Sequence, residues 1–173
     1  MLSSVSVLET SLRHEDNNPY VFLLLGLVHF QKQDYKDAAE YFKKTVNLAP
    51  EYPAGFFYLG VCYERMGSRK DAKENLKKAI QLNPKDADSL NYLGYMYAED
   101  NEDLDEAIGL LNRALNIEPQ NGAYVDSLGW VYYKKRDLEK ALTQAISESL
   151  SRVQAIAAEK MKVIAGNLNI PGM

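Results

Sequence analysis

The chain has 173 residues, of which 46% are apolar and 25% are charged, so it can form a hydrophobic core beneath a solvated surface. Its formal net charge of −4 argues against a broad basic face for nucleic acid or anionic lipid. A single cysteine, Cys62, excludes an intramolecular disulfide and a cysteine metal cluster.

The beginning of the chain does not resemble a targeting segment. Met1 to Val5 lack the basic and long apolar regions of a signal peptide, and no apolar run is long enough to span a bilayer. We therefore expect a cytoplasmic protein with no membrane partner, unless a longer parent chain carries a signal upstream.

Residues 1–18 contain a short amphipathic segment. Leu2, Val5, Leu8 and Leu12 recur at the spacing of one helical face. This spacing predicts a helix that ends before Pro19.

From residue 19 the chain repeats itself with a period of 34 or 35 residues. The residues that recur in phase are Gly26, Gly60, Gly94 and Gly129, then Ala38, Ala72, Ala107 and Ala141, then Pro50, Pro84 and Pro119. Self-similarity of this kind predicts stacked helical units, none of which can bury its apolar face alone.

Residues 53–86 form the clearest unit. Pro53 suits the opening turn of a first helix, Gly67 is expected to end it in a left-handed conformation, and Ser68 is expected to cap a second helix. The predicted buried face consists of Phe56, Leu59, Gly60, Tyr63, Ala72, Leu76, Ala79 and Ile80. Gly60 and Ala72 are small, which lets the two helices approach closely.

Residues 19–52 and 87–121 carry the same pattern on either side. The matching residues are Phe22, Leu25, Gly26, His29, Ala38, Phe42 and Pro50 in the first unit, and Leu90, Leu93, Gly94, Tyr97, Ala107, Leu111, Ala114 and Pro119 in the third. Asp34, Ser68, Asp103 and Asp137 each precede an expected second helix.

A fourth unit starts at residues 122–142 and then loses the pattern. Gly122 to Lys135 reads as a first helix, and Asp137 is expected to open the second. Beyond Leu142 the apolar spacing continues, which predicts one long helix from about Leu138 to Ala165.

The recurring residues resemble the tetratricopeptide repeat (TPR) family over roughly residues 19–142. The resemblance implies an all-α, right-handed superhelical solenoid of helix-turn-helix repeats, extended by the long C-terminal helix. Residues 1–18 then supply an N-terminal half-repeat or capping helix, or show that the chain is a fragment of a longer array. His29 replaces the usual tyrosine, so we expect a core or groove-edge residue there and no metal ligand.

Residues 143–173 are similar to the C-terminal helix and tail of the YbaB/EbfC nucleoid-associated family. The similarity rests on Ala158-Glu159-Lys160-Met161 and Asn169-Ile170-Pro171-Gly172. A natural or engineered fusion would explain it, and an ordinary long capping helix is the alternative. Because this tail carries only Arg152, Lys160 and Lys162 against Glu148 and Glu159, we do not expect nucleic acid as a partner, whereas self-association through this helix stays open.

No constellation in the sequence suggests catalysis. The chain has no glycine-rich phosphate loop, no His-Glu-x-x-His pair and no Cys/His ligand set. We expect no enzymatic activity, no cofactor and no metal site.

The resemblance also implies a binding surface, because first helices of the TPR family line a concave groove. The positions that face it here are Leu23, Leu27, Phe30, Phe57, Tyr58, Val61, Asn91, Tyr92, Tyr95, Asp126, Trp130 and Tyr133. Aromatic side chains at this density suit a protein or peptide ligand, although some of them could instead pack between helices. The Lys, Asn and Arg clamp that grips chaperone tails in some members is absent.

The sequence therefore predicts a protein–protein interaction scaffold or adaptor. The alternative is a DNA-associated or oligomerising protein that acts through its C-terminal helix.

Overall fold

The computed structural model describes residues 18–167, in which the regular secondary structure is entirely α-helical. The helices are α1 (Pro19–Gln31), α2 (Tyr35–Leu48), α3 (Pro53–Arg65), α4 (Arg69–Leu82), α5 (Ala87–Asp100), α6 (Leu104–Ile117) and α7 (Gly122–Asn167). The all-α class is thus confirmed. The helix expected before Pro19 and the tail around Pro171 lie outside the described residues.

Helices α1 to α6 form three successive hairpins, α1–α2, α3–α4 and α5–α6. From α1 to α6 each helix packs against the one before it, so α2 also contacts α3 and α4 contacts α5. Each hairpin turns within three residues, and a residue in the left-handed region makes the reversal: Gln33 (φ 64°), Gly67 (φ 81°), and Asn101 (φ 52°) with Asp103 (φ 38°). The left-handed conformation expected at Gly67 is confirmed.

The helices of the hairpins begin where the sequence predicts, but not all of the predicted capping interactions form. Proline opens α1 and α3, and Asn18 Oδ1 accepts a hydrogen bond from the backbone N–H of Tyr20 at 3.0 Å. Ser68 does stand at the N-cap of α4, but its side chain makes no capping hydrogen bond. The expected side-chain cap at Ser68 is therefore wrong, although the position of the helix start is right.

The recurring glycines bring paired helices together. A Cβ on Gly60 would lie 3.0 Å from Cγ of Leu76 and 3.1 Å from the backbone oxygen of Ala72. A Cβ on Gly94 would meet Cγ of Leu111 at the same distance of 3.0 Å. The close approach predicted for Gly60 and Ala72 is confirmed.

The core consists of the residues that recur with the repeat. They are buried at the same phase in each hairpin: Leu25, Ala38 and Phe42, then Leu59, Ala72, Leu76 and Ala79, then Leu90, Leu93, Ala107, Leu111 and Ala114. Thr45 takes the place of one of these alanines and is also buried. Its hydroxyl donates to the backbone oxygen of Tyr41 at 3.1 Å, which satisfies the polar group inside the core.

Helix α7 differs from the expected fourth hairpin. It runs without interruption from Gly122 to Asn167, so the break expected before Asp137 is wrong. The residues from Val131 to Ala165 include no glycine or proline, and most of them favour helices, so nothing local ends the helix. Val125, in the core phase of the repeat, is consequently 52% exposed.

The chain divides into two compact units, one ending at Val131 and the other beginning at Tyr132. Within the second unit the described residues form helix only, and that helix carries a series of exposed apolar side chains. They are Leu138, Leu142, Ile146, Leu150, Val153, Ile156, Met161, Val163 and Ile164, each at least 43% exposed. Among residues 18–167, no helix has both the length and the apolar character needed to cross a bilayer.

Candidate partner-binding surface

Aromatic rings on the first helices of the hairpins contact one another from repeat to repeat. The ring of Tyr58 lies 5.7 Å from that of Phe30 on α1 and 5.2 Å from that of Phe57, centroid to centroid. Phe57 in turn lies 6.1 Å from Tyr92 on α5. These rings, together with Tyr95 and Trp130, are called the aromatic surface below.

Three aromatic side chains donate hydrogen bonds to carboxylates on the preceding first helix. The Tyr92 hydroxyl donates to Glu64 Oε2 at 3.1 Å, which ties α5 to α3. Trp130 Nε1 donates to Glu99 Oε1 at 2.7 Å and the Tyr124 hydroxyl to Asp88 Oδ1 at 2.6 Å, which tie α7 to α5. These bonds hold the half-buried rings of Tyr92 and Trp130 against their carboxylates, whereas the Tyr124 ring is itself buried in the core.

The pKa values of the tyrosines reflect this environment. Burial, together with the negative charge of Glu64, raises the pKa of Tyr92 to about 12. Burial also raises the pKa of Tyr95, and the charges of Glu99 and Glu64 add to the rise. Both phenols therefore stay protonated at neutral pH, and the potential around them is negative.

The two carboxylates differ in how their charge is offset. Glu64 lies 3.5 Å from the guanidinium of Arg65 and 4.0 Å from that of Arg69. Among the described residues, no lysine or arginine lies within ion-pair distance of Glu99, which is exposed and accepts the bond from Trp130. Glu99 therefore carries an exposed negative charge on this surface.

The structure places most of the predicted groove residues on or just beneath the surface. Half-buried are Leu27, Phe30, Phe57, Tyr58, Asn91, Tyr92 and Trp130, and exposed are Tyr95, Asp126 and, in the second unit, Tyr133. The buried Oδ1 of Asn91 has no hydrogen-bond partner among the described residues. Partial burial means that these rings pack on the core and still keep part of their surface accessible.

Two of the predicted groove residues are corrected by their burial. Leu23 is 9% exposed and packs in the core cluster with Ala38 and Phe42, and Val61 is only 4% exposed. Both side chains fill space between adjacent helices, as aliphatic residues at a helix interface do, and they do not lie on the surface.

The sequence did not indicate the carboxylate acceptors Glu64, Asp88 and Glu99 as a set. Their aromatic donors lie between 28 and 36 residues further along the chain. A signal was nevertheless present, because this separation is close to the repeat period and pairs equivalent helices of neighbouring units.

A second polar region lies between α4 and the end of α5, and its ion pairs hold neighbouring helices together. Lys73 Nζ lies 2.7 Å from Asp100, and Arg69 Nε lies 2.5 Å from the other oxygen of that carboxylate. Because these cations are paired with a carboxylate, they tie two hairpins together. In the described part of the chain, no group of three or more His, Cys, Asp and Glu side chains could hold a metal ion.

Family models match the sequence in two stretches. Residues 19–52 match one model described as tetratricopeptide repeat, and residues 59–124 match another with the same description. The resemblance of residues 143–173 to the YbaB/EbfC family finds no support in these comparisons. No curated protein matches the chain at a significant level.

Solved structures agree with the family models. The crystal structure of MamA protein is 26% identical, with a TM-score of 0.71, over 81% of this chain and 76% of MamA. The Cut9 and Hcn1 hetero-tetramer structure of the APC/C gives 23% identity and a TM-score of 0.66, over 72% of this chain and 25% of that one. The first TPR of Spaghetti (RPAP3), bound to the HSP90 peptide SRMEEVD, gives 22% identity and a TM-score of 0.61, over 72% of this chain and 93% of that one.

Proposed function

Because the chain belongs to the tetratricopeptide repeat family, we propose that it is a scaffold or adaptor that holds a peptide or helix of its partner in a groove lined by the aromatic surface. The observation that carries the proposal is the run of half-buried rings across the hairpins, from Phe30 through Tyr58 and Phe57 to Tyr92. Rings held in place by their neighbours offer large contact area at a low entropic cost.

The family supports a binding role rather than catalysis, since tetratricopeptide repeats are generally non-enzymatic scaffolds. The Spaghetti structure contains an acidic HSP90 peptide, but at 22% identity it supports only the fold. The equivalent surface here presents carboxylates at Glu64 and Glu99, and Leu27 and Phe57 stand where a clamp would need polar or cationic groups. We therefore do not extend an acidic-peptide ligand to this chain.

Capture of partners from the source lysate tests the proposal. Wild type and a Tyr92→Ala/Trp130→Ala variant, both shown to be folded by circular dichroism, would be compared by quantitative mass spectrometry. We expect the partners captured by wild type to be lost, because removing one well-packed aromatic hot spot costs about 2 kcal/mol or more of binding free energy.

Tyr95→Ala serves as a second variant, because Tyr95 is 42% exposed and its truncation leaves the core intact. It should weaken capture in the same direction. Equal recovery of the same proteins by wild type and both variants would show that another face binds the partner.

We also propose self-association through α7 as a second candidate function. The exposed apolar series around Ile146, Leu150 and Val153 favours it, because surfaces of this kind are usually covered by another chain or segment. No basic face of comparable extent accompanies this apolar series, so no observation favours DNA binding.

Sedimentation equilibrium over a range of concentrations tests the second candidate. Leu150→Asp/Val153→Asp should reduce the apparent mass towards that of the monomer, whereas Gln154→Asp, an exposed change on the same helix, should not. A wild-type mass equal to the monomer at every concentration would exclude self-association.

A further inference from the structure

The first helices of the repeat unit carry an acidic charge pattern. Their charged residues, counted up to Val131, are the acids Glu64, Asp88, Glu99, Asp100 and Asp126 and the single base Arg65. The second helices α2, α4 and α6 instead carry nine basic and six acidic residues. The face that presents the aromatic surface is therefore negative, although the chain as a whole is only mildly acidic.

At one point of this face, the described residues do not offset the negative charge with a neighbouring cation. Arg65 and Arg69 lie beside Glu64, and a salt bridge to Arg69 engages Asp100. Glu99 has no such cation among the described residues, and the 2.7 Å bond from Trp130 holds its carboxylate in place.

The neighbours of Glu99 suit a cation. Tyr95 lies one helical turn before Glu99 on α5, so both side chains emerge from the same face of that helix. The Tyr95 ring is partly exposed, and the hydrogen bond from Nε1 holds the Trp130 indole of α7 against the same carboxylate. A carboxylate flanked by aromatic rings combines charge attraction with cation–π attraction.

We propose that the aromatic surface selects a partner segment in which a lysine or arginine accompanies apolar residues, and that the basic side chain binds at Glu99 between Tyr95 and Trp130. The proposal rests on the proposed function, because it names the chemistry of the ligand for the same surface. An acidic segment would be disfavoured, since its carboxylate would face Glu99, beside which the described residues place no lysine or arginine at ion-pair distance.

The variant Glu99→Gln isolates the charge. Glutamine keeps an oxygen that can accept the hydrogen bond from Trp130 Nε1, so the geometry is retained and only the negative charge is removed. Glu106→Gln on α6 is the matched control, because it removes an equal charge from an exposed position on a second helix.

The experiment selects peptides of about twelve residues from a random display library on the full wild-type chain. We expect enrichment of peptides with apolar residues and at least one lysine or arginine. An enriched peptide, measured by calorimetry, should bind Glu99→Gln about three- to tenfold more weakly than wild type. Added salt should lower its affinity for Glu99→Gln less than its affinity for wild type. It should bind Glu106→Gln as it binds wild type.

The outcomes separate the two proposals. Two results would overturn the charge proposal and leave the groove function standing. In the first, the enriched peptides lack basic residues. In the second, they bind Glu99→Gln as tightly as wild type but bind Tyr95→Ala more weakly. Failure to enrich any peptide on the wild-type chain would count against the groove function itself and would remove the charge proposal with it.

Discussion

Gly26 packs directly against the ring of Phe42, and a Cβ on that glycine would lie 2.5 Å from Cε1 of the ring. Gly129 holds the same phase in the repeat, yet among the described residues, apart from its chain neighbours and the adjacent backbone of its own helix, no heavy atom lies within 4 Å of the Cβ it would carry. The glycine at this phase therefore permits close packing against the second helix in the first hairpin. At Gly129 on α7 the described residues make no such close contact.

Alanine at these two glycines should have opposite effects. Gly26→Ala forces the Phe42 ring to shift, so we expect a loss of about 1–3 kcal/mol in the free energy of unfolding. Gly129→Ala meets open space within a helix and should stabilise by up to about 1 kcal/mol. Urea denaturation followed by circular dichroism measures both, and similar effects of the two changes would contradict the packing described here.

Leu76→Ala should leave a cavity in the middle of the repeat unit. Leu76 is fully buried on α4, so the expected cost is about 2–5 kcal/mol of unfolding free energy. Leu48→Ala on α2 is the control, because that side chain is 42% exposed and should cost far less. A comparable loss from both variants, measured by the same denaturation, would argue against Leu76 as a core residue.

Cys62 should be unreactive in the folded protein. Its side chain is completely buried, and this burial raises the pKa of the thiol to about 12, so the reactive thiolate is scarce at neutral pH. Labelling with a thiol reagent should be slow in buffer and fast in denaturant. Native labelling at the rate of an exposed cysteine would show that α3 opens far more readily than its packing implies.

Asp100 should make stability depend on pH in the acid range. Burial alone would raise its pKa, but the hydrogen bond from Lys73 and the charge of Arg69 outweigh that effect and hold the pKa below its usual value. A lowered pKa in the folded state stabilises the protein above the unfolded pKa of about 4, and this contribution is lost as the pH falls through the folded value.

Asp100→Asn provides the comparison for this pH dependence. Wild type should exceed the variant in unfolding free energy at a pH of about 6, and the difference should shrink at a pH of about 3. A difference that stays constant between the two pH values would show that the Asp100 ion pairs do not contribute in this way.

The repeat period was sufficient to predict the three hairpins. Gly60, Ala72 and Leu76 recur at fixed separations because each hairpin solves the same packing problem, so phase alone identifies the core. The continuous α7 could not be predicted in this way. Whether Asp137 begins a new helix depends on a reversal at the preceding residues, and residues 132–136 offer no counterpart of Gln33, Gly67 or Asn101 to make one.

The binding surface was only partly predictable. Position in the repeat indicated Tyr92 and Trp130, but it did not separate them from Leu23 and Val61, whose burial depends on packing between helices. The role of Glu99 required the three-dimensional contact with Trp130, because residues 31 positions apart in the sequence give no local pattern.

The central claim is that a partner binds at the aromatic surface, and Trp130 fluorescence tests it most directly. Trp130 is the one tryptophan of the chain, so its emission reports from this surface alone. Titration with a peptide selected on wild type should change the emission and saturate with the dissociation constant found by calorimetry. Calorimetric binding of that peptide without any change in Trp130 emission, in a protein that remains folded, would contradict the account.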